Sequence, residues 1–258
     1  MDHLKALLWD VDGTIAETER DGHRVAFNAA FEACGVPWRW DEDRYGRLLR
    51  VSGGRERLLY DMRDRPDAPV LAHERDALAA TLHAKKNAFY ADLVAGGSVP
   101  LRPGVERLMH ECLAQGVRLG IVTTTSRSNV DALLRKHLGR EWARRFAVIV
   151  CGEDVERKKP DPEVYQIALA RLEIGPLEAV AVEDSPGGVA AANAADVPVM
   201  VTRSAYFADA TVESAIAIGP GLHSRAEWRP AAPAGDGAIG LGDITYWWQR
   251  MELVSALE

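Results

Sequence analysis

The chain has 258 residues, 47% apolar and 27% charged, enough to bury one large core or a core that carries an inserted module. A formal net charge of -7 leaves no basic face for a nucleic acid, so no such partner is expected. Three widely spaced cysteines (Cys34, Cys112, Cys151) without metal-ligand spacing point to free thiols in a reducing, cytoplasmic setting, and neither a signal-peptide core in Met1–Ala6 nor a membrane span is read anywhere.

The first apolar run, Leu4–Trp9, reads as a buried parallel strand that delivers Asp10 and Asp12 to its carboxyl end, with Val11 pointing away from both and Gly13-Thr14 turning the chain. Glu17–Cys34 reads as a helix: His23, Phe27, Phe31 and Cys34 form a stripe at helical spacing, and Gly35-Val36-Pro37 stops it. Trp38 and Trp40 follow as packing residues. Asp41–Leu49 and Arg55–Met62 are two short helices, and Pro66–Leu93 contains a long polar one rich in Ala and Lys. No strand-like alternation occurs across these residues, which gives an all-helical unit of roughly seventy residues.

From Val99 the texture becomes strands alternating with helices. Strands are predicted over Val117–Thr123, Phe146–Cys151, Ala179–Val182 and Val197–Val201. Helices are predicted from Pro103-Gly104 to Gln115, and over Asn129–Leu138, Asp161–Leu172 and Gly187–Ala195. Arg229–Gly237 reads as a surface loop, and Gly242–Leu257 as a Trp-rich amphipathic helix whose Trp247-Trp248 pair packs in the core. The pattern is that of an α/β fold: a Rossmann-like, doubly wound parallel sheet (residues 1–16 and 97–258) with a small α-helical cap inserted over 17–96. A monomer is expected.

In such a sheet the strand ends converge on one edge. Here they carry Asp10 and Asp12, then Thr123-Thr124-Thr125-Ser126, then Lys158-Lys159-Pro160, then Glu183-Asp184. Carboxylate pairs, hydroxyls and a lysine suit the handling of a phosphate with a divalent metal. Asp10, ionised at neutral pH, is a ready nucleophile. Its difficulty is a dianionic target: like charges in contact repel by roughly 4 kcal/mol per unit pair at an effective dielectric near 20. Mg²⁺ held by Asp10, the Asp12 carbonyl and Asp184, with Glu183 as a further candidate ligand, would offset that repulsion, and Lys159 would add positive charge. The Thr123 hydroxyl and the Thr124 N–H would bind phosphate oxygens, leaving Asp12 as general acid and base. Lys158 is either a solvated neighbour or a phosphate ligand. Thr125 and Ser126 either line the site or cap the next helix.

At these residues the chain resembles the haloacid dehalogenase (HAD) superfamily of phosphotransferases, whose four motifs Asp10–Thr14, Thr123, Lys159-Pro160 and Glu183-Asp184 match in order. The resemblance implies Mg²⁺ dependence and an aspartyl-phosphate on Asp10. Glu17–Asn28, Ser52–Arg57 and Thr123–Arg127 look like the CbbY-type sugar-phosphate phosphatases, which remove a phosphate from xylulose-1,5-bisphosphate, a by-product of carbon fixation. That resemblance implies Glu17 and His23 near a small phosphorylated sugar, Gly54 and Arg55 at the cap's Gly-Gly-Arg turn, Lys86 with Arg55 on a distal phosphate, and Thr125 and Arg127 at the cap interface. Arg55 stands where many members have lysine. His23 arrives one residue later than in the related β-phosphoglucomutases, about a quarter turn around a regular helix. Two alternatives stay open: a phosphohexose mutase with the same acids, and a non-catalytic phosphosugar-binding regulator.

Overall fold

In the computed structural model, residues 3–233, 235 and 237–255 are described. Leu257, the expected end of the last helix, lies outside them, as do Ala234 and Asp236 of the expected 229–237 loop. Six parallel strands form one sheet: β1 (Ala6–Trp9), β2 (Arg118–Val122), β3 (Phe146–Val150), β4 (Ala179–Glu183), β5 (Val199–Thr202) and β6 (Ala217–Gly219), in the order β3-β2-β1-β4-β5-β6. β1 lies between β2 and β4, with Trp9 opposite Ile121 on one side and Val182 on the other. The chain fills the sheet outward from β1 in one direction and then returns to fill the other. Asp10 therefore emerges at the crevice where ligands bind in such sheets.

Alternation along the strands divides the core in two. Leu7, Trp9, Leu119, Ile121, Val180 and Val182 face α5 (Val105–Ala114), α6 (Arg127–Leu138) and α9 (Leu241–Ser255). Ala6, Leu8, Val148, Val150, Ala179 and Ala181 face α7 (Glu163–Leu172) and α8 (Pro186–Ala194). Trp247 and Trp248 are buried as expected, Trp247 stacked on Trp228 with ring centroids 4.9 Å apart. β6 is not predicted from the sequence because three residues carry too short a pattern; it exists through its pairing with β5. Among the described residues no helix is long and apolar enough to cross a membrane.

Between β1 and β2 run α1 (Arg24–Ala33), α2 (Glu42–Leu48), α3 (Gly54–Asp61) and α4 (Ala72–Ala95). Phe27, Phe31, Trp38, Trp40, Tyr45 and Leu58 form their common core, so both tryptophans pack as expected. Asp61 ties this core together: its buried carboxylate accepts from Trp40 Nε1 at 2.8 Å, Arg44 Nε at 3.0 Å and Arg65 Nε at 2.6 Å. The expected helix from Glu17 is not regular. Residues Glu19–His23 form a π-helical turn, closed by Arg24 N–H donating to Glu19 O, before α1 begins. Such a turn absorbs one extra residue, so His23 keeps its inward direction and the quarter-turn displacement expected of a regular helix does not arise. Gly22 makes the packing possible, since a Cβ there would lie 2.9 Å from the Tyr90 ring.

Candidate active site

Asp10 sits at the tip of β1, its N–H still donating to Val182 O at 3.0 Å. Its Oδ1 accepts from Lys159 Nζ at 2.7 Å, and the same ammonium donates to Glu183 Oε1 at 2.6 Å and Val122 O at 2.8 Å. Three donors satisfied by three acceptors fix Lys159 within the buried layer. Groups from residues 10, 159 and 183 thus meet at one place, as convergence of the strand ends requires. Asp12 Oδ1 accepts from Thr18 Oγ1 at 2.5 Å and pairs with His23 Nε2 at 2.9 Å. Burial by itself would raise the Asp12 carboxyl. The His23 imidazole and the hydrogen bonds from His23 and Thr18 outweigh it and hold that carboxyl well below the usual carboxylate range.

Two adjoining cavities open at this edge. The smaller, about 60 Å³, is lined by Asp10, Asp12, Lys159, Asp184, Ser52 and Thr124 among others. The larger, about 220 Å³, lies under the inserted helices and is lined by Gly54, Arg55, His83, Lys86, Thr125 and Lys158 among others. Asp12, Glu19, Arg57 and Thr124 belong to both walls. The small cavity is predominantly acidic; Arg55, Lys86 and Lys158 bring positive charge to the wall of the large one, among Glu56 and Glu153.

Most of the expected site residues reach these cavities, and four do not: Thr123, Glu17, Arg127 and the fully buried Glu183. Thr123 belongs to the ladder, its N–H bonded to Val150 O at 3.0 Å and its hydroxyl accepting from Thr125 N–H at 3.3 Å. Thr124, one residue on and also expected, lines both cavities. Glu17 precedes the π turn and points outward, accepting from Ala205 N–H at 3.3 Å and lying 3.6 Å from Arg102 Nε; Glu19 faces the cavities instead. Arg127 is drawn away by Asp154, whose Oδ2 accepts from its Nη2 at 2.6 Å.

The acidic cluster fits a hard divalent cation. Asp10, Glu183 and Asp184 each offer a carboxylate oxygen within 4.8 Å of the others, and oxygen-only donors of this kind suit Mg²⁺. Burial pushes the Asp10 and Asp184 carboxyls well up, with Asp10, Glu183 and Asp184 repelling one another, so the cluster is short of positive charge. Glu183 also serves the scaffold, since its Oε1 accepts from Tyr165 OH and anchors Lys159. Gly13 (φ 85°) is required because a Cβ there would fall 2.0 Å from Asp184 Oδ2.

Two arginines at or behind the site are not among the expected site residues. Arg57 is buried on α3, donates to Tyr45 OH at 2.8 Å and reaches both cavities. Arg102 gathers backbone carbonyls behind the site, donating to Gly13 O, to Thr202 O at 3.0 Å, to Arg203 O at 2.6 Å and to Pro220 O at 3.0 Å. Arg102 is an isolated arginine in sequence, while Arg57 ends the Ser52–Arg57 stretch. The one signal present is the Arg55-Glu56-Arg57 spacing, which puts successive charges on different sides of a helix.

Lys86 is 3% exposed, cradled by the faces of Phe27 and Tyr90 with Nζ 5.2 and 5.3 Å from the ring centroids. Burial pushes its ammonium down from the ordinary 10.5 to about 8. Between those values the unfolded chain binds the proton that the folded chain lacks, so Lys86 makes stability rise as pH increases through this window. The whole difference is of order 3 kcal/mol. Lys86→Met is therefore expected to be more stable than the parent at pH 7, with the gap closing by pH 10.5; thermal melts across that range check it, and a constant gap would contradict it.

A family model described as haloacid dehalogenase-like hydrolase matches residues 4–196. Protein CbbY, plasmid, of Cupriavidus necator is 42% identical over 227 residues, covering 88% of this chain and 89% of that protein. Protein CbbY of Rhodobacter capsulatus is 44% identical over 203 residues, covering 79% and 87%. Among solved structures, a CbbY variant from Rhodobacter sphaeroides in complex with xylulose-1,5-bisphosphate aligns with a TM-score of 0.77 at 39% identity, covering 82% of this chain and 92% of that one.

Proposed function

We propose a substrate for this chain, which belongs to the haloacid dehalogenase-like hydrolase family and is a phosphatase of sugar phosphates: a small sugar bisphosphate, xylulose-1,5-bisphosphate in particular. One observation carries the reading. A cavity sized for a phosphoryl group adjoins a larger one lined by the cations Arg55, Lys86 and Lys158, which suits a ligand with phosphate at both ends. The solved complex of a similar CbbY protein with that sugar supports it.

In the proposed reaction Asp10 attacks phosphorus, the bond from phosphorus to the sugar oxygen breaks, and Asp12 protonates that oxygen. The arriving phosphoryl dianion would raise the Asp12 carboxyl, so Asp12, otherwise held ionised by His23 and Thr18, takes up from solvent the proton that it then delivers to the sugar oxygen. Water then attacks the aspartyl-phosphate, Asp12 accepts its proton, and inorganic phosphate leaves with Asp10 restored. Lys159 holds Asp10 in place and offsets phosphoryl charge, while the Thr124 hydroxyl binds a phosphate oxygen. Bound Mg²⁺, held by Asp10, Asp184 and the Asp12 carbonyl, supplies charge neutralisation. Residues 17–96 act as the cap that closes over the sugar and excludes water.

A phosphate-release screen over sugar mono- and bisphosphates, with Mg²⁺ and with a chelator, tests this. Release is expected to be fastest with the bisphosphate and to vanish on chelation. A rearranged sugar phosphate with no free phosphate would favour the mutase alternative.

A further inference from the structure

Lys158 and Glu56 form an ion pair, Nζ to Oε1 at 2.6 Å, that joins the loop after β3 to the first turn of α3. Both line the larger cavity. The neighbouring Lys159 is fixed by three acceptors, whereas the side-chain hydrogen bond of Lys158 goes to Glu56. The second carboxylate oxygen, Glu56 Oε2, is buried with no hydrogen-bond partner among the described residues. Gly53 keeps the space around the pair open: at φ 91°, a Cβ there would fall 2.2 Å from Glu56 Oε2 and 2.7 Å from Lys158 Nζ.

An anion entering this end of the cavity meets a carboxylate in the midst of its cations. Lys158 can serve that anion only by letting go of Glu56. We infer that Glu56 is a displaceable counter-ion, which neutralises Lys158 in the empty site and yields it to the second phosphate of a bound bisphosphate. The inference rests on the reading that the larger cavity takes that phosphate. Exchange on Lys158 favours an incoming group with more charge and more acceptor oxygens than a carboxylate. A dianionic phosphate meets that condition; a sugar hydroxyl or a single carboxylate does not, and leaves the pair closed. The pair is then a specificity determinant that discriminates by rejection as well as by attraction.

Calorimetric titration of inorganic phosphate into the parent, E56Q, K158Q and the double variant tests this without turnover. The Glu56 and Lys158 side chains are 45% and 22% exposed, so the variants keep the fold. E56Q is expected to bind about fivefold more tightly than the parent, the worth of releasing a partly exposed ion pair. K158Q is expected to bind more weakly, and the double variant to match K158Q. Equal affinities in all four proteins, or no gain in E56Q, would overturn the inference. In steady-state assays E56Q is expected to lower KM for a bisphosphate and leave KM for a monophosphate unchanged; equal shifts in both would also overturn it. A parent that releases phosphate from no sugar phosphate would refute the functional reading alone, since the titration still reports on Glu56.

Discussion

Asp10→Asn is expected to abolish phosphate release, lowering kcat by roughly four to six orders of magnitude, the usual cost of losing a nucleophile, while leaving the protein folded and more stable without metal. The amide retains an oxygen to accept from Lys159 Nζ, which keeps Glu183 Oε1 and Val122 O as its other partners. It removes a buried negative charge from a cluster that already holds Glu183 and Asp184. A carboxyl whose folded pKa lies above its unfolded value contributes full stability only below the unfolded value, and that contribution is lost as pH climbs through the folded one. Burial and the neighbouring acids raise Asp10 in this sense. The metal-free parent should therefore lose stability from about pH 4 upward, and Asp10→Asn should lose less. Mg²⁺ should raise the melting temperature of the parent more than that of the variant. Phosphate-release assays and melts at pH 5 and 8 decide it, and a variant that retains more than a small fraction of turnover would remove Asp10 from the chemistry.

Lys159→Met is expected to act in the opposite direction on stability, costing about 3–5 kcal/mol, because it strands Asp10 and Glu183 as buried anions without their cation. Desolvation alone would lower the Lys159 ammonium; Asp10 and Glu183 outweigh it and hold it above its ordinary value. Urea denaturation of the variant measures the loss, and adding Asp10→Asn to it should restore part. Two buried lysines in one site thus have opposite effects on the empty protein. Lys159 is charged and fully paired; Lys86, buried against Phe27 and Tyr90, is charged only at a cost.

The alternation of strand and helix was legible because parallel strands buried on both faces read as apolar runs, and their ends carry the polar residues that converge on Asp10. Asp12, Lys159 and Asp184 followed from that convergence. Thr123 and Thr124 are both expected at the phosphate, and only Thr124 lines the cavities, since adjacent threonines at a strand end face opposite sides of the ladder. Glu17 and Glu19 differ for another reason: the wide turn between Thr18 and Arg24 sets which carboxylate points inward, and spacing rules built on regular helices do not describe it. Arg57 and Arg102 draw their roles from partners far along the chain, Arg102 from carbonyls as distant as Pro220, and no local pattern announces such a residue.

The wide turn at Glu19–His23 also bears on how the family's chains differ in length. Insertions are ordinarily tolerated in loops, where nothing downstream is re-registered. Here a surplus residue is stored inside a helix, in a turn ending on the imidazole that pairs with Asp12. Trimming one residue from this turn would convert it to a regular helical turn and leave His23 facing Asp12, whereas trimming one residue from α1 after His23 would leave the turn intact. Gap placement in this stretch is therefore a chemical matter: an alignment that puts the gap outside Glu19–His23 would pair the wrong side chain with Asp12.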